Sequence, residues 1–147
     1  MREREVAVVV GVGPGLGSAI ARRFARAGMD VAVAAHRGER LQPLAAEIGG
    51  RAYSCDVTRE AEVENLFRQL DAELGPPSVA VYNAGAYVPK RVLETDPAEF
   101  ERCWRAGCFG GLLLGQAAAR RMLERGQGTL LFTGATAAWR SKVNFST

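Results

Sequence analysis

Short, mostly apolar runs alternate along the chain with longer segments in which apolar residues recur at helical spacing. Leu16, Ile20 and Phe24 are one example of that helical spacing, directly after the first apolar run. Strands that alternate with helices in this way favour an α/β fold with one parallel sheet. The runs predict five strands, at residues 6–10, 31–35, 51–55, 79–82 and 129–133, of which the first, second and fourth are buried and the fifth is at the edge of the sheet.

Glycines fill the turn between the first strand and the first helix. Because glycine has no Cβ, a bulky anion can approach the backbone there, and the N-terminus of the following helix favours a diphosphate. The turn therefore predicts a dinucleotide ligand, although a tight turn also needs glycine for purely structural reasons. The turn consists of Gly11, Gly13, Gly15 and Gly17, with Val12, Pro14 and Leu16 between them.

The end of the second strand indicates which dinucleotide would bind. An acidic residue there would bind the ribose 2′-hydroxyl of NAD, but the chain has Ala35, His36 and Arg37. Arg37 can hold a 2′-phosphate through two hydrogen bonds, so the sequence predicts NADP rather than NAD. The alternative is that Arg37 is a solvated residue at the start of the next helix. We assign no chemistry to His36.

Polar residues also follow the third and fourth strands. Asp56 and Val57 come after the third strand, and Thr58 is predicted to cap the helix that follows. Asn83, Ala84 and Gly85 come after the fourth strand. The Asn83 amide can join neighbouring strand ends, while Ala84 and Gly85 leave space for a ribose.

The pattern G-x-x-x-G-x-G on Gly11, Gly15 and Gly17, with the Asp-Val pair and the Asn-Ala-Gly triplet, resembles the short-chain dehydrogenase/reductase family. The resemblance covers residues 6 to about 138 and implies a Rossmann-type doubly wound sheet in the order 3-2-1-4-5. It also implies an NAD(P)-binding domain over residues 1–138, followed by a tail, 139–147. The expected cofactor-binding residues are Gly11, Gly13, Pro14, Gly15, Leu16, Gly17, Arg37, Asp56, Val57, Asn83, Ala84 and Gly85.

The chain departs from the family's catalytic pattern. Matching by motif, the family's serine falls on Ala135 and its asparagine falls on Gly107. Lys142 has Ala138, not the family's tyrosine, four residues before it. We therefore assign no catalytic residue, and we expect a truncated or altered C-terminus, with a short genuine tail as the alternative.

A long helix is predicted from residue 97 to about residue 125. Asp96 is placed to cap it, and Pro97 and Glu99 suit its first turn. Gly107, Gly111 and Gly115 would share one face, which allows close approach of either the sheet or a second subunit. The family resemblance implies that this helix contributes to a homodimer.

Composition narrows the class of protein. The 147 residues are 48% hydrophobic and 24% charged, and a net charge of +3 comes from scattered arginines, so nucleic acid is not an expected partner. The charged start of the sequence runs directly into the first strand, so we expect no secretory leader, and the apolar stretch 106–119 is too short to span a membrane. The three cysteines lack metal-ligand spacing, so we predict reduced thiols, no metal and a cytoplasmic location.

These observations lead to one principal hypothesis and two alternatives. The principal hypothesis is an NADP(H)-dependent oxidoreductase that acts on an unidentified small carbonyl or alcohol. The first alternative is a catalytically silent dinucleotide-binding module that serves as a regulatory or heteromeric subunit. The second is a non-functional fragment of a longer enzyme.

Overall fold

A computed structural model describes residues 4–140 and 142–147. Short 3₁₀ helices occur at Gly38–Leu41, Val92–Glu94 and Thr136–Ala138, and a π-helical turn occurs at Arg105–Phe109. The main elements are β1 (Val6–Val10), α1 (Leu16–Arg26), β2 (Asp30–Ala35), α2 (Gln42–Ile48), β3 (Arg51–Ser54), α3 (Glu60–Glu73), β4 (Val79–Tyr82), α4 (Pro97–Trp104), α5 (Gly110–Arg125) and β5 (Thr129–Phe132).

The five strands form one parallel sheet in the order β3-β2-β1-β4-β5, which confirms the predicted strand order. Val10 at the end of β1 pairs with Ala34 of β2 on one side and Tyr82 of β4 on the other. The chain adds β2 and β3 on one side of β1, and it then returns to add β4 and β5 on the other side. The carboxyl ends of these two strands therefore form a topological switch point, where ligands bind in open α/β sheets.

Helices cover both faces of the sheet. On one face, α3 and α5 pack over a cluster that includes Val8, Phe67 and Leu114, all at most 1% exposed. On the other face, α1 and α2 cover a second cluster that includes Val9 and Val33. Because β1 contributes side chains to both clusters, all five of its residues are buried, as expected of a central parallel strand.

The predicted single helix from 97 to 125 is interrupted, so this prediction was wrong in detail. α4 ends at Trp104, the π-helical turn follows, and α5 begins at Gly110. The start is as predicted, since the Asp96 carboxylate accepts hydrogen bonds from the backbone nitrogens of Ala98 and Glu99. Within the described residues, no helix is long and apolar enough to cross a membrane.

Two of the three glycines predicted to share one helical face contact the sheet. A Cβ on Gly111 or Gly115 would lie 3.5 Å from the ring of Phe132 in β5. Gly107 lies in the π-helical turn, where a Cβ would meet no heavy atom within 4 Å among the described residues. The glycine face was predicted to pack against either the sheet or a second subunit. In this structure Gly111 and Gly115 lie beside Phe132 of the sheet.

Candidate cofactor-binding site

The turn after β1 is held by direct contact with the end of β4. Gly11 has a φ of 84°, which residues with a Cβ rarely adopt. A Cβ at this position would lie only 2.2 Å from the backbone nitrogen of Ala84. The Asn83 side-chain amide donates a hydrogen bond to the Gly11 carbonyl oxygen at 2.9 Å. The expectation that Asn83 joins neighbouring strand ends is therefore confirmed.

The next two glycines leave open space in front of α1. A Cβ on Gly13 or on Gly15 would meet no heavy atom within 4 Å in the described part of the chain. The first turn of α1 carries no acidic residue, and Gly15 at its N-cap has no side chain to occupy the backbone N–H groups. The positive end of the helix is thus accessible to an anion, and a diphosphate fits this opening.

Gly17 and Ser18 fix the position of α1 against the turn. A Cβ on Gly17 would lie 2.9 Å from the Cα of Val12, so this glycine permits close packing of the helix on the turn. Ser18 is 6% exposed, and its hydroxyl donates a hydrogen bond to the Gly13 carbonyl oxygen. The sequence analysis did not identify Ser18. Its place directly after the last glycine of the turn was the only signal available.

A cavity of about 370 Å³ lies at the switch point between β1 and β4, and we call it the carboxylate cavity. Three segments that the sequence analysis selected separately come together in its walls. It is lined by Gly11, Val12, Gly13, Ala35, His36, Cys55, Asp56, Val57, Thr58, Asn83, Ala84, Gly85 and Ala106. The turn after β1, the Asp-Val pair after β3 and the Asn-Ala-Gly segment after β4 therefore form one site.

Asp56 is oriented by its own loop. Its Oδ1 accepts hydrogen bonds from the Thr58 backbone nitrogen at 2.9 Å and from the Thr58 hydroxyl at 2.7 Å. Burial opposes ionisation, but these hydrogen bonds and the nearby positive charges outweigh it, so the pKa of Asp56 is lowered. Asp56 is therefore ionised near neutral pH and carries negative charge in the cavity wall.

Thr58 was predicted to cap α3, and this prediction was wrong. The N-cap position is Arg59, which makes no side-chain cap hydrogen bond, and α3 begins at Glu60. The Thr58 hydroxyl is already used as a donor to Asp56. Glu62 in the first turn instead reaches back and accepts a hydrogen bond from the Asp56 backbone nitrogen at 2.7 Å. This contact joins α3 to the end of β3.

A second cavity of about 600 Å³ lies beyond the end of β2, and we call it the arginine cavity. It shares Val12, Gly13, Ala35 and His36 with the carboxylate cavity, so the two form a continuous cleft. Its other lining residues are Pro14, Ser18, Arg22, Arg37, Arg40, Leu41, Pro43, Leu44 and Glu47. Arg37 thus lies where the sequence analysis predicted, beside the glycine turn. Arg40 was missed because only the residues directly after β2 were considered.

The remaining predicted site residues lie near the cleft but outside its lining. Gly15 is the N-cap of α1, Gly17 packs against Val12 of the turn, and the Leu16 side chain is 59% exposed. The position of Leu16 between these two glycines placed it in the predicted site.

Cys55 in the wall of the carboxylate cavity and Tyr82, which directly precedes the lining residue Asn83, are both held in neutral form. Burial raises the pKa of the Cys55 thiol to about 12, and it likewise raises the pKa of the Tyr82 hydroxyl to about 12. The Tyr82 hydroxyl also donates a hydrogen bond to the Ala106 carbonyl oxygen in the π-helical turn. Neither group is suited to act as a base near neutral pH.

The positions that match the family's serine and asparagine carry no polar side chain. Ala135 lies after the end of β5 and is exposed, and Gly107 is exposed in the π-helical turn. Ala106, next to Gly107, lines the carboxylate cavity. The π-helical turn therefore contributes Ala106, with its backbone and methyl group, to the wall of the cleft.

The last six residues pack against the loop that follows β4. The ring of Phe145 stacks on Tyr87 with 4.8 Å between ring centroids, and the Tyr87 hydroxyl donates to the Asn144 carbonyl oxygen. The Thr147 hydroxyl accepts a hydrogen bond from the Val88 backbone nitrogen. A parallel bridge joins Lys90 and Phe145. Residues 142–147 are thus connected to a loop that leaves the same edge of the sheet as the cleft.

The five-stranded sheet, with a glycine turn at its switch point, defines a Rossmann-type α/β domain. A family model described as short chain dehydrogenase matches residues 5–147. The chain is also 40% identical to a short-chain dehydrogenase from Rhodopseudomonas palustris, with a TM-score of 0.89 over 99% of this chain and 70% of that one. The chain belongs to the short-chain dehydrogenase family, which confirms the resemblance found in the sequence.

Two further relatives show the extent of the likeness. A human 3-oxoacyl-(acyl-carrier-protein) reductase is 31% identical over 132 residues, which are 88% of this chain and 56% of the relative. An actinorhodin polyketide ketoreductase whose structure was determined with NADPH is 27% identical, with a TM-score of 0.93 over 97% of this chain and 57% of that one. The chain spans about half the length of the curated relatives it matches.

Proposed function

We propose that this chain binds NADP(H) along the cleft formed by the two cavities. In this proposal it is the cofactor-binding domain, residues 1–138, of an oxidoreductase that transfers hydride to or from a small carbonyl or alcohol. The observation that carries the proposal is the position of Arg37 in a cavity continuous with the switch point, with no acidic residue at the end of β2. A carboxylate there would repel a 2′-phosphate, whereas an arginine attracts one.

Each part of the cofactor would be held by residues already described. The open backbone at Gly13 and Gly15, with the N-terminus of α1, would hold the diphosphate. Asp56 and Val57 would contact the adenine ring, and Arg37 would bind the 2′-phosphate. Asn83, Ala84 and Gly85 would contact the ribose at the nicotinamide end. NADPH supplies the hydride when it is bound, and this chain's residues orient it.

The relatives support the proposed reaction class and cofactor. The actinorhodin polyketide ketoreductase that shares this fold was determined with NADPH, and the human relative is named as a reductase. Arg37 and Arg40 both line the arginine cavity, where this proposal puts the 2′-phosphate of the adenosine half.

The first test is a thermal-shift titration of the purified chain with NADPH and NADH side by side. A ligand that binds only the folded state stabilises it by about 2.7 kcal/mol at one hundred times its Kd. We expect a larger shift with NADPH than with NADH at equal concentration. Equal shifts would contradict the preference for NADP, and a cooperative melt unaffected by either cofactor would contradict the proposed function.

A second candidate is a catalytically silent NADP(H)-binding module that acts as a regulatory or heteromeric subunit. It is favoured by Ala135 and Gly107, which occupy the positions of the family's serine and asparagine. Turnover distinguishes the two candidates. Oxidation of NADPH in the presence of a simple ketone would support the enzyme, whereas NADPH binding without turnover would support the module.

We also propose that the chain forms a homodimer through α4 and α5 and that it is located in the cytoplasm. Exposed aromatic side chains, Phe100 and Trp104, support the first proposal because aromatic residues are enriched at protein interfaces. The free thiols of Cys55, Cys103 and Cys108 support the second, since structural disulfides are rare in the cytosol.

A further inference from the structure

The arginine cavity contains a second cation to which the sequence analysis gave no role. Arg40 lies three residues after Arg37, at the third position of the 3₁₀ helix Gly38–Leu41, and both side chains line the cavity. Both arginines are exposed. Among residues 4–140 and 142–147, neither has an ion-pair partner. Their guanidinium groups are therefore available to an anion.

The third arginine of this cavity is already paired. Arg22 on α1 donates two hydrogen bonds to the Glu47 carboxylate on α2, at 2.7 Å and 2.8 Å. The hydrogen bond from Arg22 holds the pKa of Glu47 below its usual value, so the carboxylate is ionised near neutral pH. The pair is thus neutral overall, and Glu47 places a negative charge in the wall of a cavity that is otherwise cationic.

The charges of the cavity match a phosphate monoester. Three arginines and one glutamate line the cavity, which leaves a surplus of two positive charges on Arg37 and Arg40. A phosphate monoester carries about 1.5 to 2 negative charges at pH 7 and presents three acceptor oxygens. Two guanidinium groups can satisfy these oxygens through paired hydrogen bonds.

We propose that Arg40 binds the 2′-phosphate of NADP(H) together with Arg37, and that Glu47 limits the affinity by keeping Arg22 neutralised. This inference rests on the proposed function, because it requires that NADP(H) bind in the cleft. It assigns a specificity-determining role to Arg40 and a tuning role to the Arg22–Glu47 pair.

The role of Arg40 is tested with Arg40→Gln in the full chain. We expect Arg40→Gln to weaken NADPH binding by about tenfold while NADH binding is unchanged. The matched control is Arg68→Gln, an exposed arginine on α3 whose guanidinium, among the described residues, donates a hydrogen bond to Asn65 of its own helix and to no other side chain. Affinities are measured by calorimetric titration. Competition by 2′,5′-ADP and by 5′-AMP, which differ only in the 2′-phosphate, repeats the comparison with the adenosine portion alone.

The Arg22–Glu47 pair gives a test in which two substitutions act in opposite directions. Glu47→Gln frees Arg22 and should tighten NADPH binding by about two- to fivefold, as expected for a partly screened charge. Arg22→Gln leaves the Glu47 carboxylate unpaired and should weaken NADPH binding by a similar factor. NADH affinity in each variant serves as the check that the cleft is intact.

The possible outcomes separate this inference from the proposed function. If the unchanged chain binds neither NADPH nor NADH, the proposed function fails and this inference fails with it. If the chain prefers NADPH and Arg40→Gln keeps the full preference, as Arg68→Gln should, only the role of Arg40 is overturned. Loss of NADPH affinity in both Glu47→Gln and Arg22→Gln would show that the pair supports the fold of the cavity and does not tune its charge.

Discussion

At the scale of single residues, the glycines of the first turn are of two kinds. Gly11 combines a positive φ with a neighbour 2.2 Å from its missing Cβ, so the folded backbone itself requires glycine there. Gly13 has no positive φ, and its missing Cβ would point into open space in the described structure. The fold therefore requires glycine at position 11, and we expect NADPH binding to require glycine at position 13.

A pair of alanine substitutions separates these two requirements. We expect Gly11→Ala to lower the free energy of unfolding by about 2–4 kcal/mol, because it adds backbone strain and a clash with Ala84. Gly13→Ala should leave that free energy unchanged or raise it by up to about 1 kcal/mol, since alanine restricts the unfolded chain. It should nevertheless weaken NADPH binding by about tenfold or more, because its methyl group enters the space of the diphosphate.

Urea unfolding and NADPH titration of both variants check this prediction. A Gly13→Ala variant that binds NADPH as tightly as the unchanged chain would place the diphosphate elsewhere. A Gly11→Ala variant of unchanged stability would contradict the packing of the turn against β4.

Individual side chains show which local contacts the sequence could predict. The Asn83 contact with Gly11 was predictable, because both residues follow strands that end at the same edge of a parallel sheet. The cap on α3 was not, because the Thr58 hydroxyl and backbone nitrogen bond to Asp56 before the helix, and Glu62 bonds to the Asp56 backbone nitrogen. Propensity describes one residue at a time and cannot decide which of three polar side chains takes a given hydrogen bond.

At the scale of elements, one buried tyrosine contacts the interruption between α4 and α5. The Tyr82 hydroxyl donates to the Ala106 carbonyl oxygen inside the π-helical turn. Gly110 lies against the same hydroxyl, which would be 2.3 Å from a Cβ on that residue. Ala106 and Gly110 thus pack closely against the Tyr82 hydroxyl, and Ala106 also lines the cleft.

We expect Gly110→Ala to lower the free energy of unfolding by about 2–3 kcal/mol, because its methyl group overlaps the Tyr82 hydroxyl. Gly107→Ala is the matched control, since its Cβ would meet nothing within 4 Å among the described residues and alanine favours helix by about 1 kcal/mol. The double variant Gly110→Ala with Tyr82→Phe should lose less stability than the sum of the two single variants. Urea unfolding measures the unchanged chain and all four variants, and strict additivity would contradict the proposed overlap.

The helix prediction over 97–125 was right about the ends and wrong about the middle for one physical reason. Asp96 and Pro97 at the start and Gly126 at the end are local signals, and all lie at the observed boundaries. The π-helical turn is in contact with Tyr82, which lies on a strand 24 residues before Ala106 in the chain. Periodicity within the helix carries no information about that contact.

At the scale of the whole molecule, two of the exposed apolar surfaces in the described part of the chain concern self-association. One is the helical surface of α4 and α5, where Trp104 is 46% and Leu112 is 55% exposed. The other is the sheet beside edge strand β5, where Leu131 is 45% exposed and faces a cavity of about 400 Å³ between α1 and β5. The strand order was predictable from the alternation of strands and helices, but the sequence could not decide which exposed surface contacts a partner.

We expect self-association through the helical surface, because it exposes more large side chains, two of them aromatic. Leu112→Glu should convert a dimer to monomer, since an unpaired carboxylate in an apolar interface is costly to bury. Leu131→Lys is the matched control on the sheet edge and should leave the dimer intact, because Leu131 lies outside the helical surface, in the wall of the cavity between α1 and β5. Sedimentation velocity of the three proteins over a range of concentrations measures the difference, with the NADPH thermal shift confirming that each variant is folded. If Leu131→Lys dissociates the dimer and Leu112→Glu does not, the interface lies on β5, and the edge of the sheet is the surface that a second copy completes.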